Sequence, residues 1–412
     1  MSDETLEEFY GQLLGLEEPW AVDKVIRDSK NREVLVKVDR TDPSVGYCPT
    51  CDKELPVHDS RTRRWRHLDS CNHKTVIEAE VPRVNCPEHG VHQVRIPWAE
   101  KNSRFTQEFE KQVCMWLTDS PISAVAFMFG LSWDAVSGIQ GRAVERGLAR
   151  RKKATPEDIG IDETSYQKRH EYVTVVLDKG SNTVIDVLPD RKAETLDTWF
   201  KTQEMADFSA LKSISMDMWD AFIKAVRANI GNAESIISFD RYHVAQHLNK
   251  AVDKVRAQEH RELLEEYGTS ELLGTKYEWL RNSSNLDNRT GNRPAFLRLS
   301  RMNLKTARAW RIKEAASQLW GFVYEGVAEK KWKQLLAWMS RSKLEPIIKT
   351  GRMIKSYFWG IMNAIRLKAN NAMLESVNSG IQMIKRMACG FRNRKRFRIA
   401  ILFHFGGLDM GF

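Results

Sequence analysis

The sequence predicts a multidomain α+β protein, and three observations carry that reading. Two cysteine-bearing knuckles, CPTC (Cys48–Cys51) and CPEH (Cys86–His89), bracket a strand-rich stretch. Helical periodicity with a glycine turn fills residues 104–150. Beyond it, β-branched runs and one helix-like segment alternate as in an α/β layer, and a long helical pattern then separates that layer from a basic C-terminal block. The expected division is a zinc-binding β-rich module over 1–100, a helix-turn-helix unit over 101–153, an α/β core over 154–244 and 361–412, and an all-helical insertion over 245–360. At 412 residues the chain is long enough for several cores.

Residues 1–40 read as a helix followed by one strand, EVLVKV, that leads into the module. Each knuckle puts two soft ligands on a tight turn, and two knuckles complete the tetrahedral shell of a structural zinc. Cys48, Cys51, Cys86 and His89 are the expected ligands; Cys71, His73, His58 and His92 compete, and His92 can substitute for His89. The acidic start MSDETLEEF is no signal peptide, and no apolar stretch reaches the roughly 18 residues that span a bilayer. A cytoplasmic, nucleoid-associated protein is expected, with its six cysteines as thiols or metal ligands rather than disulfides. Cys114 and Cys389 lie in apolar helical surroundings and read as packing residues.

In the helical unit, the apolar run Ile122–Phe129 meets Gly130 at a turn, and Ser132 caps the next helix. This pattern fits a helix-turn-helix whose second helix enters the major groove, with Trp133, Ser137, Gln140 and Arg142 facing DNA. A plain three-helix bundle would share it. The charge balance, 64 basic against 54 acidic residues and a net +10, favours a nucleic-acid partner chiefly through clustering. The clusters are RTRRWRH at 61–67, with Arg63, Arg64 and Arg66; RGLARRKK at 146–153; and KRMACGFRNRKRFR at 385–398, with Lys385, Arg386, Arg392, Arg394, Lys395, Arg396 and Arg398.

Three acidic residues in different elements suggest a split metal site. Asp162 in GIDETS ends a short apolar stretch; the runs EYVTVVLDK and NTVIDVLPD, the helix-like AETLDTWFKTQ and then LKSISMD follow, the last ending in Asp217. That order seats both aspartates on neighbouring strands. Glu375, in the helix-patterned NAMLESVNSG, can close the triad. Magnesium wants oxygen ligands, and two ions about 3.5–4 Å apart serve a phosphodiester displacement. Glu163 belongs to the opposite strand face. Asp240 in SIISFDRYHV ends another apolar strand and rivals Asp217, so that Asp240 and His243 read as a fifth-strand site near the cleft. Glu375, Asn378 and Gln382, with Asn371, share a helix face able to approach DNA, while Leu374, Val377, Ile381 and Ile384 pack against the sheet. In the helical stretch, Trp279, Trp310, Trp320, Trp332, Trp338 and Trp359 read as core, and NSSNLDNRTGNRPA as a loop.

Taken in order, CPTC, CPEHGV, the helix-turn-helix, GIDETS, SMDMWDAFIKAV, SFDRYHV and NNAMLESVNSGIQMIKRMACGFRNRKRF resemble the bacterial insertion-sequence transposases of the ISL-three family over nearly the whole chain. The resemblance implies an RNase H-like catalytic core with a DDE triad formed by Asp162, Asp217 and Glu375. It also implies catalytic Mg²⁺ or Mn²⁺, a structural Zn²⁺, binding to the terminal inverted repeats and target DNA, and a dimer or larger synaptic assembly. The CPEH knuckle has His89 where many relatives carry cysteine. An RNase H-like nuclease without strand transfer and a non-catalytic zinc and helix-turn-helix regulator are the alternatives.

Overall fold

Alternation of apolar and polar residues builds the first sheet. The computed structural model describes residues 5–167, 171–203, 206–285, 292–302, 304–369 and 372–412. Helix α1 (Leu6–Leu13) starts with a capping box in which Thr5 accepts from Glu8 N–H and Glu8 accepts from Thr5 N–H. Strands β1 (Trp20–Asp28), β2 (Glu33–Arg40), β3 (Val45–Tyr47), β4 (Glu54–Ser70), β5 (His73–Cys86) and β6 (Gly90–Gln93) follow. They form one sheet in the order β1-β2-β5-β4-β3, with β6 on β5. Val34, Val36 and Val38 of β2 and Ile77, Ala79 and Val81 of β5 are buried at every second position, around Trp65. Where one strand was expected before residue 40 there are two. The extra one, β1, is an edge strand buried only at Trp20, so it shows no apolar alternation.

Three helices follow: α2 (Gln107–Leu117), α3 (Ile122–Phe129) and α4 (Trp133–Arg150). Thr106 caps α2, Gly130 ends α3 in the left-handed region at φ 61°, and Ser132 Oγ accepts from Ala135 N–H at 3.2 Å to start α4. Phe109, Val113, Leu117, Val125, Val136 and Ile139 fill the interior. Contacts divide the chain into two compact units, one ending at Gly147 and including Asp409–Phe412, the other Leu148–Leu408.

In the second unit, β7 (Asp158–Gln167), β8 (Glu171–Asp178) and β9 (Thr183–Leu188) pair antiparallel. Helix α5 (Ala193–Thr202) leads to β10 (Ser213–Met216), and α6 (Asp220–Asn229) and α7 (Ala233–Ile236) lead to β11 (Ile237–Phe239). The sheet order is β11-β10-β7-β8-β9, with β10 parallel to both β7 and β11. The first and fourth strands of this unit are thus neighbours, as the sequence order predicts.

The remaining helices are α8 (Arg241–Tyr267), α9 (Lys276–Leu280), α10 (Asn292–Arg301), α11 (Lys305–Leu319), α12 (Glu325–Arg341), α13 (Glu345–Ser356), α14 (Phe358–Arg366), α15 (Ala372–Met387) and α16 (Arg394–Phe405). One apolar cluster runs from Ile161, Met216 and Phe239 of the sheet through Val244, Leu248 and Val252 of α8 to Trp279 and Trp332. Of the tryptophans expected in the core, Trp338 is the exception at 41% exposure, on the outer side of α12. Helix α10 begins inside the segment read as a loop, and residues 286–291 of that segment lie outside the described residues. Buried Glu259 supplies the start of α11, accepting from the N–H groups of Lys305 and Thr306 at 2.6 and 2.7 Å.

Candidate functional site

Parallel pairing sets three aspartates in a row. Ile161 of β7 pairs with Met216 of β10, and Met216 with Phe239 of β11; the next residues are Asp162, Asp217 and Asp240. Neighbouring strands lie about 4.8 Å apart, so the three carboxylates stand on adjacent strands with Asp217 in the middle. Asp217 and Asp240 directly follow the carboxyl ends of β10 and β11, and Asp162 lies midway along β7, just past its parallel pairing with β10.

Burial pushes the Asp162 carboxyl up to about 6, Asp217 and Asp240 push the same way, and His243 and the Glu163 N–H oppose them. Asp162 Oδ1 accepts from Glu163 N–H at 2.7 Å and Oδ2 from Asn378 Nδ2 at 2.6 Å. Asp217 Oδ1 accepts from Met218 N–H at 2.6 Å, and its Oδ2 lies 3.3 Å from His243 Nδ1. Asp240 caps α8 through Tyr242 N–H at 2.9 Å. His247, one turn beyond His243, is lowered by burial while Asp217 raises it. Glu163 pairs with Arg191 at 3.1 Å on the other face of β7, where Arg191 lies over the rings of Tyr172 and Trp219.

Glu375 stands apart from this row. It is exposed, and among the described residues no set joining it to the aspartates has its ligand atoms within 4.8 Å. It lines a cavity of about 580 Å³ with Arg241, Tyr242, Gln246 and Asn249. The α15 residue that reaches Asp162 is Asn378, and Gln382 donates to Thr164 Oγ1 at 2.7 Å. Sequence reading let both approach DNA; the signal for their contact with β7 is the step of three residues from Glu375 to Asn378 and of four more to Gln382, which sets them on one helix face. Asn371 lies outside the described residues. Asp162 and Asp217 form an all-oxygen pair suited to a hard divalent cation.

A second cluster lies in the N-terminal unit. Cys48 Sγ is 3.8 Å from His89 Nδ1, Cys51 Sγ is 3.8 Å from Cys86 Sγ, and Cys86 Sγ is 3.4 Å from His89 Nδ1. Zn–S and Zn–N bonds of about 2.3 and 2.0 Å give a tetrahedron edges of roughly 3.5–3.8 Å, so these four residues fit a structural zinc. Backbone N–H groups of Cys51 and Thr50 draw the Cys48 thiol down to about 6. His89 is the fourth member of the set; His92 instead donates Nε2–H to the His89 carbonyl at 2.6 Å, and His58, Cys71 and His73 lie outside it. Of the two cysteines read as packing residues, Cys114 is buried and its thiol pushed up to about 12 by that burial. Cys389 is exposed, at φ 52° just beyond α15, because the helix ends there.

The residues expected to face DNA are placed unevenly. Gln140 is buried at 4% exposure, because helical spacing sets it among Val136, Ile139 and Ala143. Arg142 is bound at 2.5 Å to Glu110, itself 1% exposed. Trp133 is 37% exposed at the start of α4, and Ser137 is half-buried. In the first basic cluster, Arg63 donates to Gln93 and the Ser103 carbonyl and lies over Trp65. Arg66, 13% exposed, pairs with Asp69, while Arg64 pairs with Glu78 yet keeps 62% exposure. In the last cluster Lys385 is turned inward onto the Ser165 carbonyl at 2.7 Å, and Arg398 onto Asp186 at 2.8 Å. Arg386, Arg392, Arg394, Lys395 and Arg396 are exposed, with Arg394 paired to Glu171. Arg298, Arg301 and Arg308 on α10 and α11 are also exposed, outside the basic clusters marked in the sequence.

Comparison with known proteins finds three matching family models. A family model described as "Transposase" matches residues 159–401, a "zinc-finger of transposase IS204/IS1001/IS1096/IS1165" matches 44–89, and a "Helix-turn-helix domain of transposase family ISL3" matches 94–144. The transposase for insertion sequence element IS1001 of Bordetella parapertussis is 25% identical over 367 residues, covering 88% of this chain and 89% of its own. The transposase for insertion sequence element IS1557 of Mycobacterium tuberculosis (strain ATCC 25618 / H37Rv) is 25% identical over 391 residues, covering 87% of this chain and 86% of its own. No single helix among the described residues is long and apolar enough to cross a membrane. With the transposase model matched over residues 159–401 and the zinc-finger and helix-turn-helix models ahead of it, the chain belongs to the ISL3 family of transposases.

Proposed function

We propose that the chain is a DDE-type DNA transposase with an RNase H-like catalytic core, in which the zinc module and helix-turn-helix bind the terminal inverted repeats. The observation that carries the reading is the row of Asp162 and Asp217 on paired parallel strands, in a five-stranded sheet whose three leading strands are antiparallel. Strand order and register support the RNase H-like reading. In this proposal Asp162 and Asp217 hold the catalytic cation, Mg²⁺ or Mn²⁺, and Glu375 is the third acidic member. When bound, such a cation supplies positive charge against the attacking and leaving oxygens of a phosphodiester displacement.

The chain's own residues do the rest. His243 orients Asp217 from 3.3 Å, and Glu163 N–H and Asn378 hold Asp162 by one oxygen each. Exposed Arg386, Arg392, Arg394, Lys395 and Arg396 grip the strand's phosphates. Water attacks the phosphorus at the element's end, the P–O3′ bond breaks, and the 3′ oxygen leaves as a hydroxyl. That hydroxyl then attacks a target phosphodiester, forming one new P–O bond as another breaks. Two ends joined in one event call for a dimer or larger assembly.

The test is Mg²⁺-dependent cleavage and joining of a labelled element-end duplex by wild type and by Asp162→Ala, Asp217→Ala and Glu375→Ala, with DNA binding measured in parallel. Loss of both steps with binding retained is the expected result. Cutting without joining would leave a nuclease, and binding without cutting a regulator.

A further inference from the structure

Helix α15 is fastened to strand β7 by three donors on one face. Asn378 Nδ2 donates to Asp162 Oδ2 at 2.6 Å, Gln382 Nε2 to Thr164 Oγ1 at 2.7 Å, and Lys385 Nζ to the Ser165 carbonyl at 2.7 Å. Spacings of four and three residues keep these side chains on one helical face, and their acceptors climb the strand in the same order. On the apolar side, a Cβ built on Gly160 would stand 3.1 Å from Leu374 Cδ2, so the bare glycine lets the helix lie this close. Helix and strand are therefore locked in one register.

Asn378 differs from the other two rungs in what it leaves over. Its Nδ2 is spent on Asp162, yet its Oδ1 is buried without a hydrogen-bond partner. Buried polar atoms are nearly always paired, and an orphan beside an acidic site points to a group that arrives with a ligand. With Glu163 N–H on Oδ1 and Asn378 on Oδ2, each oxygen of Asp162 is tied once and keeps a lone pair for a cation.

We propose that Asn378 is a positioning residue of the acidic site: its amide hydrogen fixes the Asp162 carboxylate, and its free carbonyl accepts a donor that enters with the divalent cation. The inference rests on the reading of Asp162 and Asp217 as cation ligands. Groups that hold a metal's ligands typically change metal affinity by about 10- to 100-fold when removed.

The experiment measures Mn²⁺ binding to the full chain without DNA, by electron paramagnetic resonance, in zinc-loaded protein. Asp162→Ala and Asp217→Ala test the site; Asn378→Ala, Asn378→Ser and Gln382→Ala test the inference. Asn378→Ala is expected to weaken Mn²⁺ by about 10-fold or more, with Asn378→Ser recovering part of the loss through its hydroxyl. Gln382→Ala, which removes a neighbouring rung without touching Asp162, is expected to stay near wild type. If the aspartate variants lose Mn²⁺ while the Asn378 variants that fold bind it like wild type, the inference is overturned and the site stands. Equal weakening in Gln382→Ala and Asn378→Ala also overturns it, because a purely structural clamp acts alike at both rungs. Aspartate variants that bind Mn²⁺ like wild type overturn the site reading itself.

Discussion

In the N-terminal unit Cys48, Cys51, Cys86 and His89 already stand at coordination spacing, whereas in the C-terminal unit Asp162 and Asp217 are neighbours and Glu375 is not with them. Two physical differences separate the regions. Thiols and imidazole can be neutral, so four of them pack together without repulsion, while ionised carboxylates in one small space repel unless a cation lies between them. The second difference is chain connectivity. The knuckles are joined by the β4–β5 antiparallel pair, which brings Cys51 to Cys86 across 35 residues, but α15 must come back to β7 across 216. A local hairpin fixes ligands by its own register. The distant helix relies on the Asn378, Gln382 and Lys385 contacts to set where Glu375 lies.

The largest effect that can break this contrast is removal of zinc. Apparent binding energies of structural zinc reach about 10 kcal/mol or more in peptides; with an apolar core of its own around Trp65, this module should lose on the order of 5 kcal/mol. Chelation, or Cys86→Ser, is expected to release zinc measured by atomic absorption and to lower the melt of the N-terminal unit. An unchanged melt after full zinc loss would show that the hairpin alone holds the knuckle. The aspartates are expected to behave in the opposite sense. Asp217→Ala should lower end cleavage by at least about 1000-fold, roughly 4 kcal/mol of barrier, with the melt maintained, because in the free protein its charge acts against that of Asp162. Glu375→Ala sharpens the comparison: a loss of similar size means that the exposed helix residue joins the row during reaction, and a loss under about tenfold, or 1.4 kcal/mol, removes it from the triad.

The sequence showed the two regions unequally, for the same reasons. CxxC and CxxH spacings are local, so Cys48, Cys51, Cys86 and His89 could be read directly, and β-branched runs gave β8 and β9. Edge strand β1 stayed hidden behind its mostly exposed residues. Asp162 and Asp217 stood out because each ends a short apolar stretch, although β7 runs on past Asp162 to Gln167, and Asp240, following β11, stood out only as a rival. That all three fall in one register is a property of pairing between strands, which no single segment carries. Basic residues could not be told apart for a further reason: Arg63, Arg66, Arg142 and Lys385 look alike in sequence to Arg392, and their intramolecular bonds depend on tertiary contact. The burial of Gln140 could have been read by counting helical turns from Val136 and Ile139.

A smaller effect tests the electrostatic half of the contrast. Burial raises Asp162 from its ordinary 3.8 to about 6, so the folded protein holds this proton more tightly than the unfolded chain does. That contribution to stability is fully present below about 3.8 and is lost as pH rises through about 6. In buffer without added divalent cation, Asp162→Asn should therefore be more stable than wild type at pH 7.5 by about 2 kcal/mol, discounting the nominal shift for partial exposure. The difference should shrink towards pH 4. Asn378 can turn its amide to accept from the carboxamide N–H that this substitution introduces, since its Oδ1 has no partner to lose. Urea melts at the two pH values measure this, and an Asp162→Asn variant less stable than wild type at both would remove desolvation as the dominant cause.

The smallest expected effect concerns arginines that look equivalent and are not. Arg392 and Lys395 are exposed and have no acidic partner among the described residues, so their charges are available to phosphate. Neutralising both as Arg392→Gln with Lys395→Gln should lower the slope of log affinity against log salt by about 1.8, near 0.9 for each lost phosphate contact. Binding at physiological salt should weaken by roughly tenfold, or about 1.4 kcal/mol. Arg63→Gln is the matched control in the zinc module. Its guanidinium keeps its charge but already donates to Gln93 and the Ser103 carbonyl and covers Trp65, so it is held away from a phosphate contact. The salt slope should stay unchanged while stability falls by about 1 kcal/mol for the lost hydrogen bonds. Fluorescence anisotropy on an element-end duplex at several salt concentrations separates the two. Equal slopes for both variants would mean that inward bonding does not silence an arginine, and every exposed-versus-engaged distinction drawn between the two basic clusters would fall with it.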